Sequence, residues 1–301
     1  MQCSAPIAYR RAVTSGDLQR GASRSALAGG GSAQDMTITQ RLIGAAAAFG
    51  CRPALVSRRP ESGYSFAELA STVQHAAAGL AWRGLRPRDI VGVYVPDAAS
   101  YILACHSIAA AGGIPSPVSA QLSISDIAGQ LADCGARMLL TAQPLAAAAL
   151  AAADRSWVRQ VIAFGDAPAA TSFESLLGLG SLRPPGMRPH ELALLPYVRR
   201  ADGTLHAAGL THLNMAAELS ALSAAADITA QDVVLAAPPA GDGRSYSTFL
   251  DHALLHGATI VATRTEDLAT AATEHRGTAA IIPLGLDVRA AGPLRLFAVA
   301  S

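Results

Sequence analysis

The sequence predicts an α/β protein built from stacked, mainly parallel sheets that are flanked by helices. Short apolar runs such as 89–95 and 279–282 alternate with amphipathic stretches of helical period. Because these runs are apolar at nearly every position, both faces of each strand must be covered, as in a parallel sheet between helices. The chain has 301 residues, of which 51% are hydrophobic and 15% are charged, so it can bury a substantial core.

The helices and strands of the first half are predicted from hydrophobic periodicity and from residues that typically begin or end an element. Phe66, Leu69 and Val73 recur at helical spacing, and Ser65 with Glu68 three residues later forms a capping-box pattern before them. We predict helices at 38–48, 66–83, 98–111 and 125–133, and strands at 53–57, 89–95, 114–118, 138–141 and 158–164.

The second half repeats the alternation after a segment rich in glycine and proline, 165–190, which we interpret as a long loop or a subdomain boundary. We predict strands at 192–197, 233–237, 259–263, 279–282 and 294–299, and helices at 211–226, 248–256 and 268–275. The predicted organisation is a first α/β subdomain at 36–190 and a second, incomplete α/β subdomain at 191–301.

The N-terminal segment 1–35 differs in composition from the rest of the chain. It is rich in Ser, Gly and Arg and shows no hydrophobic periodicity, which predicts a disordered extension. A transit peptide is one interpretation, because acidic residues are few. The other is an upstream start codon, with Met36 opening the folded part, and we favour it.

Charge and cysteine usage narrow the class of protein. The net charge of +1 gives no electrostatic reason to expect nucleic acid, and no apolar run is long enough to predict a membrane span. The four cysteines form no CxxC pair, which is typical of reduced thiols and predicts a cytoplasmic protein. All 23 basic residues are arginine, so the chain cannot itself supply a lysine ammonium, and together with the alanine runs this suggests a GC-rich bacterial gene.

Other candidate chemistry is weak. His252 and His256 stand at i and i+4, a spacing compatible with zinc, but the motif lacks a glutamate and only His275 suggests itself as a third ligand. We therefore predict no metal site. No Gly-x-Ser-x-Gly nucleophile elbow is present. We expect Tyr197, Tyr246 and Trp157 to be packing residues.

The segment 191–212 carries the most informative motif. Leu-Leu-Pro-Tyr at 194–197 and Leu-Thr-His at 210–212 enclose a loop with the spacing of Tyr-Ser-Ser-Gly-Thr-Thr-Gly-x-Pro-Lys-Gly-x-x-Leu-Thr-His. This segment resembles the signature loop of the adenylate-forming (AMP-binding) acyl- and aryl-CoA ligases. The stretches 64–69, 96–97, 111–118 and 130–137 resemble further family elements in the same order, and the 4-coumarate/fatty acyl-CoA ligase group is the most similar.

The resemblance implies that the loop would face the β- and γ-phosphates of ATP. The positions it assigns to this degenerate phosphate loop are Arg199, Arg200, Gly203, Thr204, His206 and Thr211. Most hydroxyl residues of the family's loop are replaced in this sequence. His206 stands at the position of the family's loop lysine, and Asp202 adds a negative charge. We therefore expect Mg²⁺-ATP binding to be weak or absent. Arg199 and Arg200 are either solvated loop charges, which we favour, or partial replacements for the lost phosphate donors.

The resemblance also sets the functional alternatives. The chain matches the N-terminal part of the family's large domain, and the acyl-adenylate motif, the ribose-binding Asp and the catalytic Lys have no counterpart in it. We expect ATP-dependent carboxylate adenylation to be lost in the isolated chain, which would be a non-catalytic homologue or remnant with no catalytic residues. The alternatives are one half of a split ligase, a protein- or ligand-binding module, or a C-terminus created by a frameshift. An open sheet edge at 294–299 predicts self-association or a protein partner.

Overall fold

The computed structural model describes residues 36–57, 63–186, 188–238, 243–283 and 294–299. The predicted extension 1–35 lies outside the described residues, as does most of the turn that follows the strand at 233–237. Eight α-helices occur in the described part: α1 Ile38–Phe49, α2 Phe66–Trp82, α3 Ala98–Ala110, α4 Ile124–Asp133, α5 Ala146–Ala153, α6 His212–Ala225, α7 Arg244–Leu255 and α8 Leu268–Glu274.

The strands alternate with these helices along the chain. Those of the first half are β1 Pro53–Val56, β2 Gly63–Ser65, β3 Ile90–Tyr94, β4 Ile114–Pro117, β5 Met138–Ala142, β6 Gln160–Phe164 and β7 Thr171–Ser172. Those of the second half are β8 Leu192–Leu194, β9 Tyr197–Arg199, β10 Leu205–Ala207, β11 Leu210–Thr211, β12 Val233–Ala236, β13 Thr259–Ala262, β14 Ala279–Pro283 and β15 Arg295–Val299.

Two mainly parallel sheets form the frame, as the apolar strand pattern predicts. One has five strands in the order β4-β3-β5-β6-β7, and all its pairings are parallel. The other has six strands in the order β15-β14-β12-β13-β1-β2, and only β2 is antiparallel to its neighbour. The larger sheet therefore includes two strands from the first half of the chain, and β15 lies at one of its edges.

Helices between the sheets create the main core. The largest buried cluster joins Val91 and Leu140 of the five-stranded sheet, Ile102 of α3, and Ile260 of the six-stranded sheet. Alanines on α2 and α3 let the two helices approach closely within this layer. No helix in the described ranges is long and apolar enough to cross a membrane.

The predicted helix start at Ser65 is confirmed in detail. The Ser65 hydroxyl accepts from the Glu68 backbone N–H at 3.2 Å, and Glu68 accepts from the Ser65 N–H at 2.8 Å. The same reciprocal arrangement begins α1, where Thr37 pairs with Gln40, and α6, where Thr211 pairs with Asn214. Each box satisfies backbone donors that the first turn of a helix leaves free.

The predicted single strand over 192–197 is wrong. The chain bends at Leu195 and Pro196, so β8 pairs antiparallel with β11 while β9 pairs antiparallel with β10. Pro196 has no N–H to continue a ladder, and the Leu195 N–H donates instead to the carbonyl of Pro115 at 2.9 Å.

Three other local expectations need correction. The helix predicted to start at 248 begins at Arg244, directly after Gly243, whose φ of 74° only glycine adopts easily. The alanine run at 146–153 forms α5, a helix that our assignments omitted although alanine favours helices most. Tyr197 and Tyr246 are buried as expected, whereas Trp157 is 64% exposed and does not pack in the core.

Candidate functional site

The segment predicted to be a degenerate phosphate loop forms the turn of a β-hairpin. β9 and β10 pair so that Arg199 lies opposite Leu205 and Val198 opposite His206. The Arg200 N–H donates to the Thr204 carbonyl, and the Gly203 N–H donates to the Arg200 carbonyl, each at 2.9 Å. Gly203 has a φ of 84°, which explains why this position keeps its glycine. The turn thus uses its own backbone donors to close itself.

The polar side chains at the turn also bind one another. The Asp202 carboxylate accepts from the Thr204 N–H at 2.9 Å and from the Thr204 hydroxyl at 2.6 Å. His206 Nε2 lies 2.9 Å from the same hydroxyl and donates to it. The side-chain and backbone hydrogen bonds from Thr204 lower the pKa of Asp202, so an exposed negative charge stands at the tip of the hairpin.

Tyr197 anchors the base of the hairpin. It is buried against Ile114 and Leu195, and its hydroxyl donates to Asp133 at the end of α4. Burial, and then the Asp133 carboxylate, raise the pKa of Tyr197, so the hydroxyl stays protonated.

The structure brings five of the six predicted loop residues together. Arg199, Arg200, Gly203, Thr204 and His206 share the hairpin, whereas Thr211 lies beyond β10 and its side chain caps α6. His212, the first residue of α6, is half-buried, and burial lowers its pKa.

A second polar site, which no sequence pattern predicts, lies between three helices. A small cavity of ≈ 40 Å³ lies where α1, α3 and α7 meet. Its polar lining consists of Thr37, Thr39, Tyr101, Cys105, His106, His212, Ser247 and Asp251. No motif could reveal this set, because α1, α3 and α7 are far apart in the sequence and each contributes at most three of its members.

Three of these side chains form a continuous hydrogen-bonded chain. His106 Nδ1 lies 3.0 Å from the Thr39 hydroxyl, and its Nε2 lies 3.0 Å from Asp251 Oδ1. Thr39, His106 and Asp251 are only 4%, 5% and 7% exposed. A buried carboxylate is costly unless a partner compensates its charge, so the contact of Asp251 with the His106 imidazole is the feature to explain.

A larger cleft of ≈ 560 Å³ adjoins the small cavity. The two share Thr37, Ala109, Ala193 and His212 in their linings. Glu191 at the cleft accepts from both Arg88 and Arg188. Hydrogen bonding from Arg88 is the main cause that lowers the pKa of Glu191, so the rim of the cleft carries two cations and one anion.

Of the predicted histidine pair, His252 is buried and hydrogen-bonded, whereas His256 is exposed at the end of α7. His252 Nε2 donates to the Ala226 carbonyl at 3.2 Å, and its Nδ1 lies 3.3 Å from the Ser223 hydroxyl. Within the described ranges no three His, Cys, Asp or Glu side chains are grouped so that they could hold a metal ion.

Parallel sheets around a helical layer, with a hairpin loop leading into a helix, define this chain as an α/β protein of the adenylate-forming type. The chain belongs to the AMP-binding enzyme family, whose profile matches residues 44–282. A search of curated protein sequences finds no match.

Solved structures agree with the family. A long-chain-fatty-acid-CoA ligase from Archaeoglobus fulgidus superposes with a TM-score of 0.73 and 19% identity, over 92% of this chain and 54% of that one. MbtA of Mycobacterium smegmatis superposes with a TM-score of 0.74 and 26% identity, over 82% of this chain and 48% of that one. A benzoate CoA ligase from Burkholderia xenovorans superposes with a TM-score of 0.73 and 18% identity, over 88% of this chain and 55% of that one. The chain therefore spans about half the length of these structures.

Proposed function

We propose that this chain is an acyl- or aryl-CoA ligase homologue that does not adenylate carboxylates on its own. The observation that carries the proposal is the closed state of the hairpin, in which Asp202 accepts both donors of Thr204. A phosphate group at this turn would meet the exposed Asp202 carboxylate, and both donors of Thr204 are already used by that carboxylate. The residues present therefore fit a triphosphate poorly.

The lost phosphate donors set the expected loss of ATP affinity. A hydrogen bond to a charged group contributes about 1.5–3 kcal/mol, and the turn has lost at least two such donors. Affinity would fall by about three orders of magnitude, before the repulsion from Asp202 is counted. Arg199 offsets little of this loss, because its guanidinium already donates to Asp126 and to the Gly203 carbonyl.

A second candidate function follows from the span of the match. The chain covers 54% of the Archaeoglobus ligase, and its 301 residues contain no lysine. If residues outside this sequence supply the remaining half, the chain would be one part of a split acyl-CoA ligase. An acid of the 4-coumarate or fatty acid type would then be the substrate class, with the reaction in a bacterial cytoplasm.

A binding role is the third candidate, and the edge strand β15 supports it. β15 pairs with β14 on one side only within the described sheet, so its other side can take a further strand. Size-exclusion chromatography with light scattering tests this role. A monodisperse monomer would count against self-association.

Calorimetric titration of Mg²⁺-ATP into the full chain tests the main proposal. We expect no binding tighter than about 1 mM. Tighter binding that Arg199→Ala/Arg200→Ala abolishes would overturn it and show that the arginines form a phosphate site. Arg155→Ala/Arg183→Ala is the matched control, because it removes two exposed arginines from other segments.

A further inference from the structure

We propose that Thr39 is a nucleophile that accepts a small acyl group from an activated ester, with His106 as its base and Asp251 as the residue that positions His106. This site is independent of the hairpin. It joins the first turn of α1 to α3 and α7, and all three side chains line the small cavity.

The two ring contacts are compatible with one direction of proton transfer. In the proposed reactive form Asp251 is ionised and can only accept, so His106 Nε2 carries the proton that Asp251 Oδ1 binds at 3.0 Å. In the neutral ring Nδ1 is then an acceptor, and the Thr39 hydroxyl donates to it at 3.0 Å. A hydroxyl, an imidazole and a carboxylate in this order form the arrangement that activates hydroxyl nucleophiles, here with the two ring nitrogens in exchanged roles.

The first turn of α1 offers donors for the charge that develops during attack. Ile38 and Thr39 line the cavity, and their backbone N–H groups have no intrahelical acceptor because they begin the helix. The capping residue Thr37 uses its hydroxyl for the Gln40 N–H at 3.1 Å, so it does not compete for them. Free N–H groups beside a nucleophile can stabilise an oxyanion.

The size of the cavity selects the acyl group. A volume of ≈ 40 Å³ holds about three water-sized groups, which matches the heavy atoms of an acetyl group. The adjoining cleft of ≈ 560 Å³ has room for the leaving group, and His212 borders both spaces.

The reaction is balanced without a cofactor. The Thr39 oxygen attacks the carbonyl carbon of an ester, and His106 Nδ1 takes the hydroxyl proton. The bond to the leaving oxygen breaks, and that oxygen receives the proton from Nδ1. The products are an acyl ester of Thr39 and the free alcohol or phenol, and water can later hydrolyse the ester by the same route.

Cys105 is the competing nucleophile in the same cavity. Burial, and then the negative charge of Asp251, raise the pKa of the Cys105 thiol, which keeps it in its unreactive protonated form. The Tyr101 hydroxyl is hydrogen-bonded to the Ser247 hydroxyl at 2.6 Å, which likewise keeps it from reacting. The thioester that Cys105 would form is cleaved by neutral hydroxylamine, whereas an oxygen ester at Thr39 survives.

Incubation of the full chain with p-nitrophenyl acetate tests the proposal, with nitrophenolate release and peptide mass spectrometry as readouts. We expect one hydroxylamine-resistant acetyl group at Thr39, or phenolate turnover if the ester hydrolyses. Thr39→Val should abolish both, Thr39→Ser should retain them, and His106→Gln should slow release by about a hundredfold. Thr141→Val is the control, because it removes another buried hydroxyl and should change nothing.

Thermal melting of each variant separates loss of chemistry from loss of the fold. Acetylation at another residue, or release by folded Thr39→Val at the rate of the unaltered chain, would overturn the proposal. Failure of the unaltered chain to react with p-nitrophenyl acetate would also overturn the proposal.

Discussion

Arg199 donates to Asp126 across 3.2 Å and so attaches the hairpin to helix α4. The same guanidinium also donates to the Gly203 carbonyl at 2.6 Å, which closes the turn from within. An arginine that the family resemblance assigns to the predicted phosphate loop is therefore engaged in holding the loop in place.

Removal of this attachment should loosen the hairpin more than it destabilises the protein. The side chains of Arg199 and Asp126 are 47% and 41% exposed, and exposed ion pairs contribute about 0–1 kcal/mol. For Arg199→Ala we expect a loss of less than about 1 kcal/mol in urea unfolding, with faster hydrogen exchange at 200–204. Unchanged hydrogen exchange at 200–204 would show that the backbone hydrogen bonds alone hold the hairpin in place.

Restoring the family loop should restore phosphate affinity. The restored variant combines Val198→Ser, Arg199→Ser, Arg200→Gly, Ala201→Thr, Asp202→Thr, Leu205→Pro and His206→Lys. We expect Mg²⁺-ATP to bind at least about a hundredfold more tightly by calorimetry, because two or more donors return. Asp202→Asn alone removes only the charge and should give a smaller gain. If the restored variant still fails to bind, the loop is not what limits affinity.

Two helical glycines should respond to alanine with opposite signs. A Cβ at Gly79 of α2 would lie 2.5 Å from the Leu176 carbonyl oxygen, whereas a Cβ at Gly129 of α4 meets nothing within 4 Å. Gly129→Ala should raise the free energy of unfolding by about 0.5–1 kcal/mol through helix propensity. Gly79→Ala should lower it by about 1–3 kcal/mol through the clash. Urea unfolding measures both, and equal signs would contradict the packing of α2 on Leu176.

His252 should make stability depend on pH. Burial, and then the neighbouring His256, lower the pKa of His252 from 6.5 to about 4. Between these values the unfolded chain binds a proton that the folded chain does not, so the free energy of unfolding falls as pH decreases from about 6.5 to about 4. The loss should approach about 3 kcal/mol at the acid end.

Urea unfolding at several pH values, repeated for His252→Gln, measures this contribution. For His252→Gln the free energy of unfolding should decline less steeply between pH 6.5 and about 4, whatever its value at neutral pH. His190→Gln is the matched control, since His190 is exposed, and its decline should parallel that of the unaltered chain. Equal declines for His252→Gln would contradict a neutral, buried His252.

The long amphipathic elements were predictable because each one buries an apolar face by its own period. The helix at Phe66–Trp82 and its cap at Ser65 are examples, since pattern and packing agree there. The strand expected at 192–197 failed because apolar side chains hid a bend at Pro196 that only the pairing with β11 and β10 reveals. Short strands such as β7 have too few residues to show a period.

The candidate sites show the same limit. The hairpin residues were predictable because they are contiguous around Gly203, although the use of Arg199 to bind Asp126 was not. Thr39, His106 and Asp251 were out of reach of any spacing argument, since packing of α1, α3 and α7 brings them together. Functional residues that are close in the sequence can be recognised as a motif, whereas a buried cluster depends on the whole fold.

The order of strands in the larger sheet bears on how the chain is made. Leu55 of β1 pairs in register with Ile260 of β13, although nearly the whole described chain lies between them. On a ribosome, β1 and β2 emerge early but cannot dock until β13 has been synthesised, and such distant contacts form slowly. The nascent polypeptide therefore keeps one edge of β1 without its parallel partner until the segment 259–262 has been synthesised.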